Sequence, residues 1–79
     1  MKAKIYITFK PGVLDPQGKA VQHALASLGF NEVQDARIGK FIELKLNGVE
    51  RAKAEADVKQ MCEKLLANTV IESYRYELE

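Results

Sequence analysis

Polar and apolar residues alternate through Lys4-Ile5-Tyr6-Ile7-Thr8-Phe9, and the β-branched content makes this a strand with Ile5, Ile7 and Phe9 on one face. Pro11-Gly12 ends it. Val21, Ala24, Leu25 and Leu28 then recur at the i, i+3, i+4, i+7 spacing of a helix stripe, and Gly29 supplies a left-handed stop, so a helix is predicted over about 16–28. From Glu32 to Ile38 the strand pattern is weaker, with Val33 on one side and Ala36 and Ile38 on the other, a parity that a bulge near Asp35 would reconcile. Beyond the turn at Gly39-Lys40, the run Phe41-Ile42-Glu43-Leu44-Lys45-Leu46 sets Ile42, Leu44 and Leu46 between charged residues and is a clear strand. After Asn47-Gly48, Ala54, Val58, Met61, Cys62 and Leu65 trace a second helix over about 49–66. Val70 to Leu78, rich in β-branched and aromatic residues, reads as the last strand.

The order βαββαβ predicts a ferredoxin-like α+β fold: a four-stranded antiparallel sheet with two helices on one face. Many unrelated functions use that arrangement, so residues must decide among them. The 79 residues predict a single domain over 1–79. A core this small needs a staple. Cys62 is the only cysteine, which removes an internal disulfide, and Cys62 with His23 falls short of a structural zinc set. Self-association as a homodimer or higher oligomer is the staple that remains. The lone thiol, with no apolar leader after Met1 and no long apolar run, predicts a cytoplasmic location and no membrane partner. Twelve basic against eleven acidic residues give a formal charge of +1, too small an excess for a nucleic-acid partner.

Catalytic groups are scarce. His23, the only imidazole, flanks the first helix stripe and reads as solvated. Cys62 lies on the second stripe and reads as a core residue. No Cys-x-x-Cys pair is present, which excludes the metallochaperones that share this architecture. No catalytic residue, metal site or bound cofactor is therefore assigned to this chain.

The richest segment runs from Lys10 to Lys19. Asp15 is a preferred N-cap, Pro16 suits the first helical position, and Gly12 permits positive φ after Pro11. Lys10 and Lys19 flank a helix N-terminus that could receive a phosphate or, the preferred reading, a partner protein's carboxylate. Gly18 costs about 1 kcal/mol inside a helix, so its place in the first turn points to something approaching that backbone closely. On this reading Asp15→Asn should cost little, because asparagine caps about as well, and Gly18→Ala should stabilise the isolated subunit by up to about 1 kcal/mol. Tyr6 and Phe41 point away from the helix-covered face of their strands, and the last strand carries apolar bulk on both faces. Tyr6, Phe41, Tyr74 and Tyr76 are the candidates for an oligomer interface.

The loop Gly12-Val13-Leu14-Asp15-Pro16-Gln17-Gly18-Lys19-Ala20-Val21, the turn Arg37-Ile38-Gly39-Lys40 and the run Cys62-Glu63-Lys64-Leu65-Leu66-Ala67-Asn68 resemble the signature segments of the PurS family, in order and at the family's spacing. Thr69 departs from the proline that many members carry after the asparagine. The resemblance implies an assembly subunit of phosphoribosylformylglycinamidine synthase. In that complex a PurQ-type glutaminase subunit releases ammonia, and a PurL-type synthetase subunit uses ATP and Mg to convert formylglycinamide ribonucleotide to formylglycinamidine ribonucleotide in purine biosynthesis. Lys10, Asp15, Gln17, Gly18, Lys19, Lys40 and Asn68 are the candidates for contact with those partners. A competing reading is a regulatory domain that binds a small molecule as a dimer. An acylphosphatase-like enzyme would need an arginine on the loop after the first strand, where this chain has Lys10 and Lys19.

Overall fold

A computed structural model describes residues 1–79. Strand β1 (Lys2–Phe9) is followed by helix α1 (Pro16–Ser27), strand β2 (Lys40–Lys45), helix α2 (Arg51–Met61) with a π-helical turn over Cys62–Leu66, and strand β3 (Glu72–Leu78). β1 is central and antiparallel to both neighbours, in the order β2-β1-β3. The α+β class stands, with three strands in the sheet.

Alternation decides which face is covered. Ile5 lies opposite Ile42 on one side and Tyr76 on the other, and Ala3 opposite Leu44 and Leu78, so one face of the sheet is apolar from edge to edge. Against it α2 and the π turn press Val58 and Cys62, which with Ala3, Ile5, Ile7 and Ala67 form the buried core. Cys62 is a core residue, as its stripe position predicts. Burial pushes its thiol pKa up.

Two features depart from the expected four-stranded sheet. Residues 32–38 form no strand, and α1 contributes nothing to the core, Gly18 being its only buried residue. The cause is local. Asp15 caps α1 by accepting the Gly18 N–H at 2.9 Å with one carboxylate oxygen, and it accepts the Ile38 N–H at 2.8 Å with the other. The Arg37 guanidinium donates to the Lys10 and Val13 carbonyls, and Gln22 Nε2 donates to the Gln34 carbonyl. These bonds fasten the returning segment along α1, so it does not reach the edge of β2. Gly29, at φ 98°, stops the helix as the pattern predicts, and Phe30 N–H turns back onto the Leu25 carbonyl.

Helix and returning segment together form an arm that projects from the sheet. The molecule measures 50 × 24 × 14 Å with a radius of gyration of 16.0 Å. A compact domain of this length has a radius of about 12 Å.

Tyr74 and Tyr76 also differ from expectation. Both lie on the helix-facing side of β3, half-buried against the core, and the Tyr74 hydroxyl donates to Glu63 at 2.7 Å. That bond pushes the Tyr74 pKa up to about 12.

Gly18 explains itself in this arrangement. A Cβ there would run into the Ala36 carbonyl oxygen and come within 2.9 Å of Asp15 Oδ2. The close approach is made by the chain's own returning segment. Gly18→Ala should therefore lower stability, by about 1–3 kcal/mol as overpacking does, and not raise it by helix propensity. Urea denaturation of the isolated subunit measures this, and a rise in midpoint would show that the segment yields at no cost.

Candidate interaction site

The residues expected to meet partners converge on one end of the sheet, and they divide by burial. Asp15 is 3% exposed and Gly18 is buried, and both are committed to internal contacts. The hydrogen bonds from Ile38 and Gly18, in that order, hold the Asp15 pKa below the ordinary carboxylate value of 3.8. Its carboxylate is structural and is not presented to a partner. Gln17, Lys19, Lys40 and Asn68 are exposed. Lys10 is tied through its backbone, its N–H donating to the Ile71 carbonyl and its carbonyl accepting from Arg37.

Glu72 joins part of this set. Its carboxylate is nearly buried, accepts the Asn68 N–H at 2.6 Å, and pairs with Lys40 Nζ at 3.5 Å. Gln17, Lys40 and Glu72 share the wall of a cavity of about 100 Å³ under Ile38 and Gly39. The loop before α1, the start of β2 and the turn before β3 thus meet at one polar edge. Lys19, exposed in the first turn of α1 two residues beyond Gln17, does not line the cavity itself.

Sequence reasoning missed Arg37 and Glu72. Arg37 sits in a segment read as a weak strand, and its two carbonyl acceptors lie 24 and 27 residues away. Glu72 reads as an ordinary alternating charge at the start of a strand. No local pattern marks it as the acceptor for Asn68.

The uncovered face of the sheet carries a row of three side chains. Tyr6 and Phe41 have ring centroids 5.0 Å apart, and the Arg75 guanidinium lies 3.9 Å from the Tyr6 centroid. Tyr6 and Phe41 point away from the helices, as expected, and Phe41 is 52% exposed. Lys2–Glu43 and Lys4–Glu79 pairs surround the row with charge. No group of three or more His, Cys, Asp or Glu side chains is placed to hold a metal ion. His23 is exposed on α1, and Cys62 is buried on the far side of the core.

What the fold and the site define is a class: a small α+β interaction domain that presents charged and aromatic side chains on open surfaces. The chain belongs to the PurS family, whose model, described as PurS: phosphoribosylformylglycinamidine (FGAM) synthase, matches residues 2–79. Phosphoribosylformylglycinamidine synthase subunit PurS of Bacillus subtilis (strain 168) is 61% identical over 80 residues, covering 99% of this chain and 92% of that protein. The subunit of the same name from Methanocaldococcus jannaschii is 42% identical over 78 residues, covering 99% and 94%. Among solved structures, the C2 crystal form of B. subtilis PurS superposes with a TM-score of 0.88 at 62% identity, covering 99% of this chain and 96% of that one. A chain of the PurLQS structure from Thermotoga maritima gives 0.87 at 33% identity, covering 96% and 93%.

The double acceptor role of Asp15 can be tested by pH. A carboxylate whose folded pKa is depressed adds stability that is present above its ordinary pKa and is lost as pH falls through the folded value. Asp15→Asn keeps one acceptor oxygen but leaves either the Gly18 or the Ile38 N–H facing an amide NH2. The variant should melt lower than the parent at neutral pH, contrary to a simple cap exchange. The gap should close as pH falls below 3.8, and parallel melting curves across that window would refute the double acceptor role.

Proposed function

We propose that this chain is the assembly subunit of phosphoribosylformylglycinamidine synthase. It joins a PurQ-type glutaminase subunit to a PurL-type synthetase subunit for the ATP- and glutamine-dependent conversion of formylglycinamide ribonucleotide to formylglycinamidine ribonucleotide in purine biosynthesis. Family membership over residues 2–79, with a PurLQS chain among the structural neighbours, carries this reading. It is supported by the scarcity of chemistry in the chain: a solvated histidine, a thiol buried in the core, and no metal-ligand cluster. ATP and Mg are assigned to the larger components, and no cofactor to this subunit. A cytoplasmic location accords with the free thiol, and no helix is long and apolar enough to cross a membrane.

Within this role the polar end of the sheet is the docking surface for the larger components. Gln17, Lys40 and Asn68 supply its exposed groups with Lys19 beside them, while Asp15, Gly18 and the Lys10 backbone hold the surface in shape. Exposed groups at such a rim tune association, and the buried carboxylate fixes geometry.

The purified chain should show no glutaminase or ATPase turnover by itself, and PurL- and PurQ-type subunits without it should lack glutamine-dependent synthesis. Gln17→Ala with Lys19→Ala should leave the melting temperature of the isolated subunit unchanged and raise severalfold the subunit concentration needed for half-maximal activity. Full activity from the other two subunits alone would refute the assembly role. An unchanged titration curve for the double variant would refute only the docking surface.

A further inference from the structure

The Asn47-Gly48 pair joins β2 to α2 and is fastened to neither. Leu46 is anchored on one side, its N–H donating to the Met1 carbonyl at 2.8 Å and its carbonyl accepting from the Met1 ammonium at 3.2 Å. On the other side the Arg51 guanidinium donates to the Leu78 carbonyl at 3.3 Å. Between these anchors nothing holds the chain. Neither Asn47 nor Gly48 makes a backbone hydrogen bond, both are exposed, and a Cβ at Gly48 would meet no heavy atom within 4 Å. Glu50, just before α2, makes no side-chain bond to the first turn of the helix, so the helix start does not tie the loop down either. The chain has two other asparagines, and they are placed differently. Asn31 is exposed but precedes Glu32, whereas Asn68 precedes the β-branched Thr69 and accepts the Val70 N–H with its own side-chain oxygen.

We propose that Asn47 is a site of spontaneous deamidation, at which the chain modifies itself without an enzyme. Asparagine is among the chemically labile residues, and its loss of ammonia requires the backbone nitrogen of the next residue to reach the side-chain carbonyl carbon. Glycine, with no Cβ, obstructs that approach least and turns most freely. The Gly48 nitrogen gives its proton to solvent hydroxide and bonds to Asn47 Cγ, the Cγ–Nδ2 bond breaks, and the departing nitrogen takes a proton from water and leaves as ammonia. A succinimide ring remains. Water then opens it at either carbonyl: breaking the new Cγ–N bond gives aspartate, and breaking the original peptide bond gives isoaspartate, whose main chain runs on through Cγ. Nothing is oxidised or reduced. Either product replaces a neutral amide with a carboxylate and takes the formal charge from +1 to zero, where a small protein loses the repulsion that keeps it dispersed. Isoaspartate also adds a methylene to the main chain between β2 and α2. Lys40 begins β2 and Asn47 lies past its far end, so the polar surface around Lys40 is left unaltered.

This inference does not depend on the assembly role, and it is tested on the whole subunit without its larger partners. The folded chain is held at neutral pH and physiological temperature, sampled over days, and cut with trypsin, which releases residues 46–51 as one peptide because Lys45 and Arg51 set its ends. Mass spectrometry should show the exchange of NH2 for OH accumulating in that peptide severalfold faster than in those holding Asn31 or Asn68. Methyltransferase labelling specific for isoaspartate should mark the same peptide. The rate in the folded chain should lie close to the rate in guanidinium chloride, since the loop is held by no bond that unfolding would break. Asn47→Gln, whose longer side chain needs a larger ring, should leave the peptide unlabelled with the circular dichroism unchanged. Gly48→Ala should slow the reaction in the folded and the unfolded chain alike, so this variant reports even where it fails to fold. An Asn47 that stays intact in the folded chain while converting in denaturant overturns the proposal. Equal conversion at all three asparagines overturns it too, as does aspartate formed without isoaspartate, which would mean direct hydrolysis by water and no attack by Gly48.

Discussion

Asp15 accepts two backbone N–H groups 20 residues apart in the chain, and the architecture depends on that double acceptance. One bond starts α1. The other fixes Ile38, two residues before β2, against the same helix N-terminus. Excursion and return are thereby pinned at a single buried carboxylate, with Arg37 fastening the loop before α1 from the other side. An N-cap bond alone would leave the return free to lie along β2, whereas the pin holds it to the helix and carries the helix away from the sheet.

The consequence is a division of labour within a short chain. The sheet and α2 hold nearly all of the buried apolar residues, while the arm keeps its apolar stripe exposed. Six residues make the fully buried core cluster, too few for a domain that must stand alone with a margin. No part of the chain itself covers that stripe, with Val21, Leu28 and Phe30 all exposed. The polar cluster at Glu72, Lys40 and Asn68 lies at the same end of the sheet as the pin, so the geometry offered to a partner is set by the interaction that aims the arm.

Much of this was legible in the residues and part was not, for physical reasons. Five of the six elements follow from periodicity, because apolar alternation and helix stripes are local properties that burial by α2 leaves intact. Pro16 and Asp15 mark the start of α1, and Gly29 its end, since capping is local too. The segment 32–38 was misread because its backbone is held by the Gln22 and Asp15 side chains of the first helix and its cap, not by a neighbouring strand, and sequence pattern cannot tell the two apart. Gly18 was read correctly as a point of close approach, but the approaching group was misassigned to a partner when it is the Ala36 carbonyl. Tyr74 and Tyr76 share the parity of buried Ile5 and Ile7 through a strand register that no local rule supplies. For the interaction site, the exposed members were found by residue type. Arg37 was missed because its bonds reach back 24 and 27 residues, and Glu72 because its pairing with Lys40 joins distant segments while its bond to the Asn68 N–H, though local, follows no helix or strand pattern.

Amide hydrogen exchange at Gly18 and Ile38 reads the Asp15 pin itself. In the parent both amides should exchange slowly, and in Asp15→Ala both should lose protection together while Ile5, deep in the sheet, keeps its own. An Ile38 amide that exchanges freely in the parent, or that keeps its protection when the Asp15 carboxylate is removed, would contradict the claim that this one side chain holds the arm.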